Sequence, residues 1–247
     1  MALDLKKTKG LFFDIYATLI NWEAGIYPRL LRLANGQDTP ATKEKLLHSY
    51  HAYQAEIWAA EPTLKYPKIL EKVYVRIAEE LGVEVSEEEK VAFGYSIGEW
   101  PAFPDTVEAM KRLAKHYKLF VLSNVDDASF ERTCSGPLKG VPWNGIYTAE
   151  QIGSYKPDPR NYEFVVERAK EDFGIKKGEL VMVAQSLDID HLMSKKLGFP
   201  PGVWISREGS AMGGKREEME QQGLLDLGAT YDTLGEFADA VEKAVGS

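Results

Sequence analysis

The stretch that decides the fold is residues 11–20, with the sequence LFFDIYATLI. Three apolar residues lead directly into Asp14, and a short apolar run that ends in a polar turn is typical of a buried parallel strand. In open α/β sheets, ligands bind at the carboxyl ends of the strands. Asp14 is therefore positioned to act as a nucleophile on a small molecule. The plainer alternative is that it caps the next helix or begins a turn.

A strand pattern returns after residue 100, where short apolar runs alternate with amphipathic helical segments. The spacing predicts strands over residues 119–122, 180–184, 203–205 and 229–231. It predicts helices over residues 105–116, 161–173, 190–197 and 234–245, and a surface loop over residues 206–224. Because strands alternate with helices, we expect an α/β fold with a Rossmann-like, doubly wound parallel sheet.

Residues 22–100 contain no apolar run that is typical of a strand. Apolar residues recur at helical spacing over residues 43–60 and 69–81, and Gly82 follows the second segment as a C-terminal cap. The stretch 86–89, with the sequence SEEE, begins another helix with a capping-box signature. We therefore expect a helical cap of residues 22–100, inserted after the first strand of a core that comprises residues 1–21 and 101–247.

The composition of the chain narrows the classes of partner. A formal net charge of −8 argues against nucleic acid, since phosphate backbones require clustered Lys and Arg, and against anionic membrane surfaces. No apolar stretch approaches the roughly 20 residues that span a bilayer. The single cysteine, Cys134, cannot form an internal disulfide, which is typical of a reducing compartment. We expect a cytoplasmic protein, monomeric or homodimeric, that acts on a small molecule.

Polar residues follow the predicted strands or lie in the loops beside them. A nucleophilic carboxylate needs a neighbouring cation, which keeps it ionised and attracts an anionic substrate. Hydroxyl and amide donors can orient the carboxylate or bind a negative group of the substrate. Taken singly, each cluster is more typical of a turn or an exposed loop. The four clusters are Asp14 with Thr18, Ser123 with Asn124, Lys156 in a proline-containing loop, and Ser186 with Asp190.

With these clusters in this order, the chain resembles the haloacid dehalogenase superfamily of hydrolases over essentially its whole length. The resemblance rests on FDIYATL at residues 13–19, LSN at residues 122–124, KPDP at residues 156–159, and the segment from Ser186 to Phe199. It implies a Rossmann-like core, a helical cap after the first strand, and Asp14 as the nucleophile.

The residues near Asp14 and Ser186 indicate which branch of this superfamily is most similar. Phosphatase members carry a second aspartate where this chain has Tyr16, and usually Gly-Asp where it has Gln185 and Ser186. Both differences weaken a magnesium site, because Mg²⁺ prefers several hard oxygen ligands, and they remove the obvious general acid. Tyrosine at position 16 is similar to the 2-haloacid dehalogenase branch, which works without a metal.

The resemblance to that branch implies roles for nine side chains and no cofactor. In the expected mechanism, Asp14 attacks a carbon that bears a halide, and water then hydrolyses the aspartyl ester. The implied catalytic residues are Asp14, Asn124, Lys156 and Asp190, and the implied substrate-binding residues are Tyr16, Thr18, Ser123, Tyr162 and Ser186.

The chain departs from the dehalogenase pattern in the cap. Dehalogenases of this type carry a cap arginine about thirty residues after the nucleophile, whereas residues 36–75 of this chain contain none. Lys43, Lys45, His48 and His51 are the basic candidates that we consider for its place. We therefore expect an intact nucleophile with an altered pocket for the substrate and its leaving group.

Two other functions stay open from the sequence. The first is a Mg²⁺-dependent small-molecule phosphatase that uses Asp14 and Asp190, and the second is a non-catalytic binding protein on the same scaffold. The cap also contains aromatic residues that either line a cavity or pack the interior of the cap, and the second role is the commoner one. These residues are Trp22, Tyr53, Trp58 and Tyr66.

Overall fold

The computed structural model describes residues 3–61, 63–207 and 216–246. At its centre lies a parallel sheet of six strands in the order β3-β2-β1-β4-β5-β6. The predicted α/β fold with a doubly wound parallel sheet is confirmed. The strands are β1 (Gly10–Phe13), β2 (Lys118–Ser123), β3 (Gly145–Thr148), β4 (Leu180–Ala184), β5 (Gly202–Ile205) and β6 (Leu227–Tyr231).

The central strand β1 pairs with β2 on one side and with β4 on the other, so that Phe13 lies beside both Val121 and Val183. Successive side chains of a strand point to opposite faces of a sheet. Leu11 and Phe13 accordingly join one apolar cluster and Phe12 joins the other. The chain reverses its direction of strand addition between β1 and β4, and this switch point is where such sheets form a ligand crevice.

Between β1 and the second strand lies a group of helices. They are α1 (Trp22–Leu31), α2 (Pro40–Ala60), α3 (Tyr66–Leu81) and α4 (Glu87–Tyr95), followed by a 3₁₀ turn at Ser96–Glu99. Helix α3 ends at Gly82, whose φ of +69° is a left-handed conformation that favours glycine. Helix α4 begins with the expected capping box, in which Ser86 and Glu89 each accept the other's backbone N–H.

The segment that follows β1 and the segment that returns to the sheet after residue 100 lie side by side. The backbone N–H of Asn21 donates to Pro101 at 2.8 Å, and that of Phe103 donates to Leu19 at 3.0 Å. This paired crossing lies beside the expected boundaries at residues 21/22 and 100/101. The division of the chain into a cap and a core stays a prediction.

The remaining helices accompany the sheet strands. They are α5 (Thr106–Leu113), α6 (Asp127–Ser135), α7 (Ala149–Ile152), α8 (Pro159–Phe173), α9 (Leu192–Lys196), α10 (Arg216–Gln221) and α11 (Leu234–Val245). Among the described residues, no helix is both long and apolar enough to cross a membrane.

The structure contains elements that the sequence pattern did not predict. Strand β3 is four residues long at the edge of the sheet, and α6 is too polar to show a clear apolar face. The loop expected over residues 206–224 is wrong in part, because α10 lies within it; this helix buries no side chain, so it has no apolar periodicity to read. Residues 208–215 of that loop lie outside the described residues. The helix expected from residue 190 is preceded by a π-helical turn at Leu187–His191.

Candidate active site

Two carboxylates and one ammonium group meet at the switch point of the sheet. The Lys156 Nζ atom lies 2.8 Å from Asp14 Oδ1 and 2.8 Å from Asp190 Oδ1. The side chains of Lys156 and Asp190 are almost completely buried, and 13% of the Asp14 side chain is exposed. The ammonium therefore bridges the two acids, and Asp14 is the one that reaches open space.

The fold explains this meeting of residues distant in sequence. Asp14 follows β1, Asp190 lies in the π-helical turn after β4, and these two strands are neighbours in the sheet. Lys156 lies in the loop before α8, where Asn124 holds its backbone. The Asn124 side chain accepts from the Lys156 N–H at 2.6 Å and donates to the Lys156 carbonyl at 3.0 Å. Asn124 therefore fixes the lysine loop against the end of β2.

Burial and charge determine the protonation of this group. Burial raises the pKa of Asp190 to about 7, and the nearby Asp14 carboxylate adds to this rise while Lys156 opposes it. Burial alone would lower the pKa of Lys156, but the two adjacent carboxylates more than offset it and hold that pKa above its ordinary value. One ammonium shared by two acids thus leaves Asp190 able to exchange a proton near neutrality.

The second oxygen of Asp14 is held by the loop that follows β1. Thr18 Oγ1 donates to Asp14 Oδ2 at 2.9 Å and accepts from the Gln185 N–H at 2.9 Å. The Thr18 carbonyl in turn accepts from Arg207 Nε at 2.9 Å. Arg207 is buried and is itself fixed by Asp105, whose Oδ1 accepts from Nη1 at 2.7 Å. Thr18 and Arg207 therefore position the Asp14 carboxylate.

The turn that carries Asp190 is held by two predicted site residues. Ser186 Oγ accepts from the Ile189 N–H at 3.1 Å and donates to Asp188 Oδ1 at 2.9 Å. The Tyr162 hydroxyl donates to the Ile189 carbonyl at 2.8 Å. Because Tyr162 is fully buried, its hydroxyl supports this turn from behind.

Beside these groups lies a small cavity of about 60 Å³. A single water molecule needs about 10–15 Å³, so the cavity has room for a small molecule. Seven of the nine predicted site residues line it. They are Asp14, Tyr16, Ser123, Asn124, Lys156, Ser186 and Asp190.

The two other predicted residues, Thr18 and Tyr162, do not line the cavity. Each hydrogen-bonds a group that does line it, namely Asp14 or the backbone of Ile189. That Thr18 or Tyr162 contacts a substrate directly stays a prediction. In this structure Thr18 supports Asp14 directly, and Tyr162 supports the turn that carries Asp190.

Tyr16 lies in the cavity wall, but its hydroxyl is turned away from the acids. The hydroxyl shares a hydrogen bond of 3.1 Å with Thr133 Oγ1, and burial raises the pKa of Tyr16 well above its ordinary value. The ring stacks on Tyr66 at a centroid distance of 6.5 Å and meets Trp100 edge-on at 5.7 Å. Tyr16 thus contributes an aromatic surface to the pocket and holds its proton too tightly to act as an acid.

The side chains between residues 22 and 100 close the cavity with an aromatic wall. Of the four aromatic residues considered from the sequence, Trp22, Trp58 and Tyr66 line the cavity, whereas Tyr53 donates to Glu80 elsewhere. Three further wall residues were not predicted from the sequence. These are Tyr50, Gln54 and Trp100. Tyr50 and Gln54 lie on the apolar face of α2 and were open to prediction from helical spacing, but no local pattern indicated that this face meets the acids.

None of the basic residues considered for the missing arginine lines the cavity. Lys43 pairs with Glu23 and Lys45 pairs with Glu80. His51 comes nearest, since its ring packs against the wall residue Trp22 at a centroid distance of 4.7 Å. Burial lowers the pKa of His51 to about 4, so this imidazole is uncharged at neutral pH.

The residues at the switch point do not fit a magnesium ion. The position between Asp14 and Asp190 is taken by the Lys156 ammonium, which satisfies one oxygen of each acid. Ser186, which stands where an acid ligand would be needed, is engaged with its own turn. Across residues 3–61, 63–207 and 216–246, no cluster of three His, Cys, Asp or Glu side chains could hold a metal.

The fold and this buried pair of acids define a class of hydrolase. Residues 8–198 match the model of the family described as haloacid dehalogenase-like hydrolases. Since this match covers well over half of the chain, the protein belongs to that family of enzymes. The resemblance stated from the sequence motifs is thereby confirmed.

Several known proteins that are similar to this chain are named dehalogenases. An (S)-2-haloacid dehalogenase of Pseudomonas putida is 22% identical over 212 residues, which are 84% of this chain and 88% of that protein. The structure of a dehalogenase with an intermediate complex has a TM-score of 0.74 at 21% identity, covering 95% of this chain and 97% of that one. L-2-haloacid dehalogenase from Xanthobacter autotrophicus with chloropropionic acid covalently bound has a TM-score of 0.71 at 17% identity, covering 95% and 98%.

Proposed function

We propose that the protein hydrolyses a small halogenated molecule through a covalent ester on Asp14, in the manner of a 2-haloacid dehalogenase. The observation that carries this proposal is the bridge from Lys156 to Asp14 and Asp190 at the base of a small aromatic cavity. Exclusion of water strengthens a carboxylate nucleophile and every charge interaction around it. The names of the relatives above support the same reaction class.

In the first step, an Asp14 carboxylate oxygen attacks the carbon that bears the halogen. A carbon–oxygen bond forms as the carbon–halogen bond breaks, and the halide departs with the electron pair. Lys156 and Thr18 hold the two oxygens of Asp14 in place for this attack, which supplies the orientation that an intramolecular reaction gains. The product of the step is an ester between Asp14 and the substrate carbon.

In the second step, water attacks the carboxyl carbon of that ester. Asp190 accepts the proton of the water, since its pKa of about 7 suits a general base near neutral pH. The acyl carbon–oxygen bond of the ester then breaks, and the substrate oxygen takes the proton back from Asp190 and leaves as an alcohol. Asp14 keeps the oxygen from water and releases one proton to return to its carboxylate form. Overall, one halogenated molecule and one water give an alcohol, a halide ion and a proton.

The proposed reaction needs no metal ion, because the Lys156 ammonium supplies the positive charge beside Asp14. The phosphatase alternative lacks a second acid beside Asp14, since Tyr16 stands in that place and its hydroxyl is bonded to Thr133. The non-catalytic alternative does not account for a carboxylate, Asp14, that is held in place by Lys156 and Thr18 and is open to the cavity. The expected small-molecule substrate, cytoplasmic location and monomeric or homodimeric state form part of the same proposal.

A single-turnover reaction in H₂¹⁸O tests the mechanism. With enzyme in excess over 2-chloropropionate or 2-chloropropionamide, mass spectrometry of the peptide that contains Asp14 should show one added ¹⁸O, and the first alcohol formed should be unlabelled. The Asp14→Asn variant should remain folded and release no halide. Label in the alcohol on the first turnover would instead mean that water attacks the substrate directly.

A further inference from the structure

The aromatic wall opposite Asp14 has few polar atoms left to bind a ligand. The hydroxyls of Tyr50 and Tyr66 are hydrogen-bonded to each other at 3.1 Å. The indole N–H of Trp100 donates to Ser96 Oγ at 3.0 Å. The wall therefore contributes mostly apolar ring surface to the cavity.

The indole N–H groups of two further tryptophans in this wall are buried. The Nε1 atoms of Trp22 and Trp58 are fully buried and have no hydrogen-bond partner among the residues that the structure describes. Atoms with so little exposed surface do not face the open space of the cavity. Gln54 is therefore the polar side chain of this wall that is free to bind a ligand.

Gln54 lies on α2 and is only 5% exposed. It lines the same cavity as Asp14. Among the described residues its side-chain amide makes no hydrogen bond, and its polar atoms are not among the fully buried ones, so water or a ligand in the cavity can satisfy them. The group offers two N–H donors and one carbonyl acceptor. Its natural complement is therefore a ligand group that both accepts and donates.

The charges around the cavity also disfavour a ligand anion at this wall. Lys156 is the one cationic side chain that lines the cavity among the described residues, and Asp14 and Asp190 already share its charge. His51, one helical turn before Gln54, is neutral because burial lowers its pKa to about 4. A carboxylate placed against Gln54 would be desolvated without a countercharge of its own, and it could not donate to the amide oxygen.

We propose that Gln54 determines specificity, and that the substrate presents an uncharged hydrogen-bonding group, such as a carboxamide, to the cap. A carboxamide accepts from Gln54 Nε2 and donates to Gln54 Oε1, so both groups are satisfied at once. The inference rests on the proposed function, which places the halogenated carbon beside Asp14. A molecule of the size of 2-chloropropionamide suits the cavity of about 60 Å³.

Halide release from 2-chloropropionamide and 2-chloropropionate tests the preference. We expect the unmodified enzyme to favour the amide at least tenfold in kcat/KM. Gln54→Leu should lower the amide value about tenfold, the effect of one lost hydrogen bond, and should change the acid value much less, so that the amide preference is lost. Gln54→Arg should shift the preference toward the acid, because a guanidinium pairs with a carboxylate. Gln37→Leu makes the same change at an exposed position and should alter neither value.

Binding of unreactive analogues separates this inference from the proposed function. Quenching of the wall tryptophans measures the affinity for 2-methylpropanamide and for 2-methylpropanoate without any turnover. Tighter amide binding that Gln54→Leu abolishes supports the inference, even if no halogenated compound is hydrolysed and the proposed function fails. Tighter acid binding, or an amide preference that survives Gln54→Leu, overturns the inference and leaves the dehalogenase reaction intact.

Discussion

Replacement of Lys156 by methionine should make the stability of the protein depend on pH above neutrality. The substitution keeps an unbranched side chain one atom shorter than lysine and removes the charge between Asp14 and Asp190. Removal of one partner of a buried ion pair costs about 3–5 kcal/mol, because the remaining charge is left uncompensated. The variant avoids part of this cost when Asp190 takes up a proton.

The sign of the effect follows from the pKa of Asp190. Burial raises this pKa from 3.8 to about 7, so the native state holds a proton that the unfolded state has lost. Stability therefore falls as the pH rises through that window, and this contribution levels off above the native pKa. Without Lys156, which opposes the rise, the native pKa of Asp190 lies higher still. The fall then continues above pH 7, at up to about 1.4 kcal/mol per pH unit.

Urea unfolding at pH 7, 8 and 9 measures this difference. Over two pH units, Lys156→Met should lose up to about 3 kcal/mol relative to the unmodified protein. The double variant Lys156→Met/Asp190→Asn should lose this extra pH dependence, and Lys111→Met, at an exposed lysine of α5, should show none. Parallel loss of stability in Lys156→Met and the unmodified protein between pH 7 and 9 would refute the coupling of these groups.

Three further predictions concern the reaction. First, kcat should rise with pH around a midpoint at or below about 7, because only the carboxylate form of Asp190 accepts the proton of water and the Asp14 charge that helps to raise its pKa is lost in the ester; a flat profile from pH 4 to 9 would exclude Asp190 as the base. Second, enzyme treated with a chelator should release halide as fast as untreated enzyme, and restoration by Mg²⁺ of activity lost to the chelator would favour the phosphatase alternative. Third, Arg207→Met should lower kcat about ten- to a hundredfold with little change in KM, because displacement of Thr18 misorients Asp14. Arg168→Met, at a half-exposed arginine of α8, is the control, and an equal loss there would mean that Arg207 acts only on stability.

The apolar runs of the sequence predicted the strands that lie inside the sheet. Strands β1, β2, β4 and β5 are buried on both faces, so their residues are apolar without alternation and stand out from their surroundings. The edge strand β3 is short, and the helix α10 has no buried face. Neither has a hydrophobic pattern from which it could be predicted.

The catalytic residues could be predicted from the sequence because each of them lies near the end of a strand. Asp14, Asn124, Lys156 and Asp190 each lie directly after a strand or in a loop beside one, and parallel strands deliver such positions to one edge. The distinction between contact and support could not be predicted in this way. Tyr162 is a plausible ligand group in the sequence, but the packing of α8 directs its hydroxyl to the Ile189 backbone.

The sequence by itself determined the α/β class, the likeness to a hydrolase family and the acids that carry the proposed chemistry, because these depend on local patterns of hydrophobicity and on residue types at strand ends. The tertiary structure alone decided what faces Asp14 across the cavity. Helix α2 places Gln54 in the wall and keeps Lys43 and Lys45 in ion pairs outside it. Which face of a helix meets the site depends on how separate elements pack, and that packing is fixed by contacts between residues far apart in the chain.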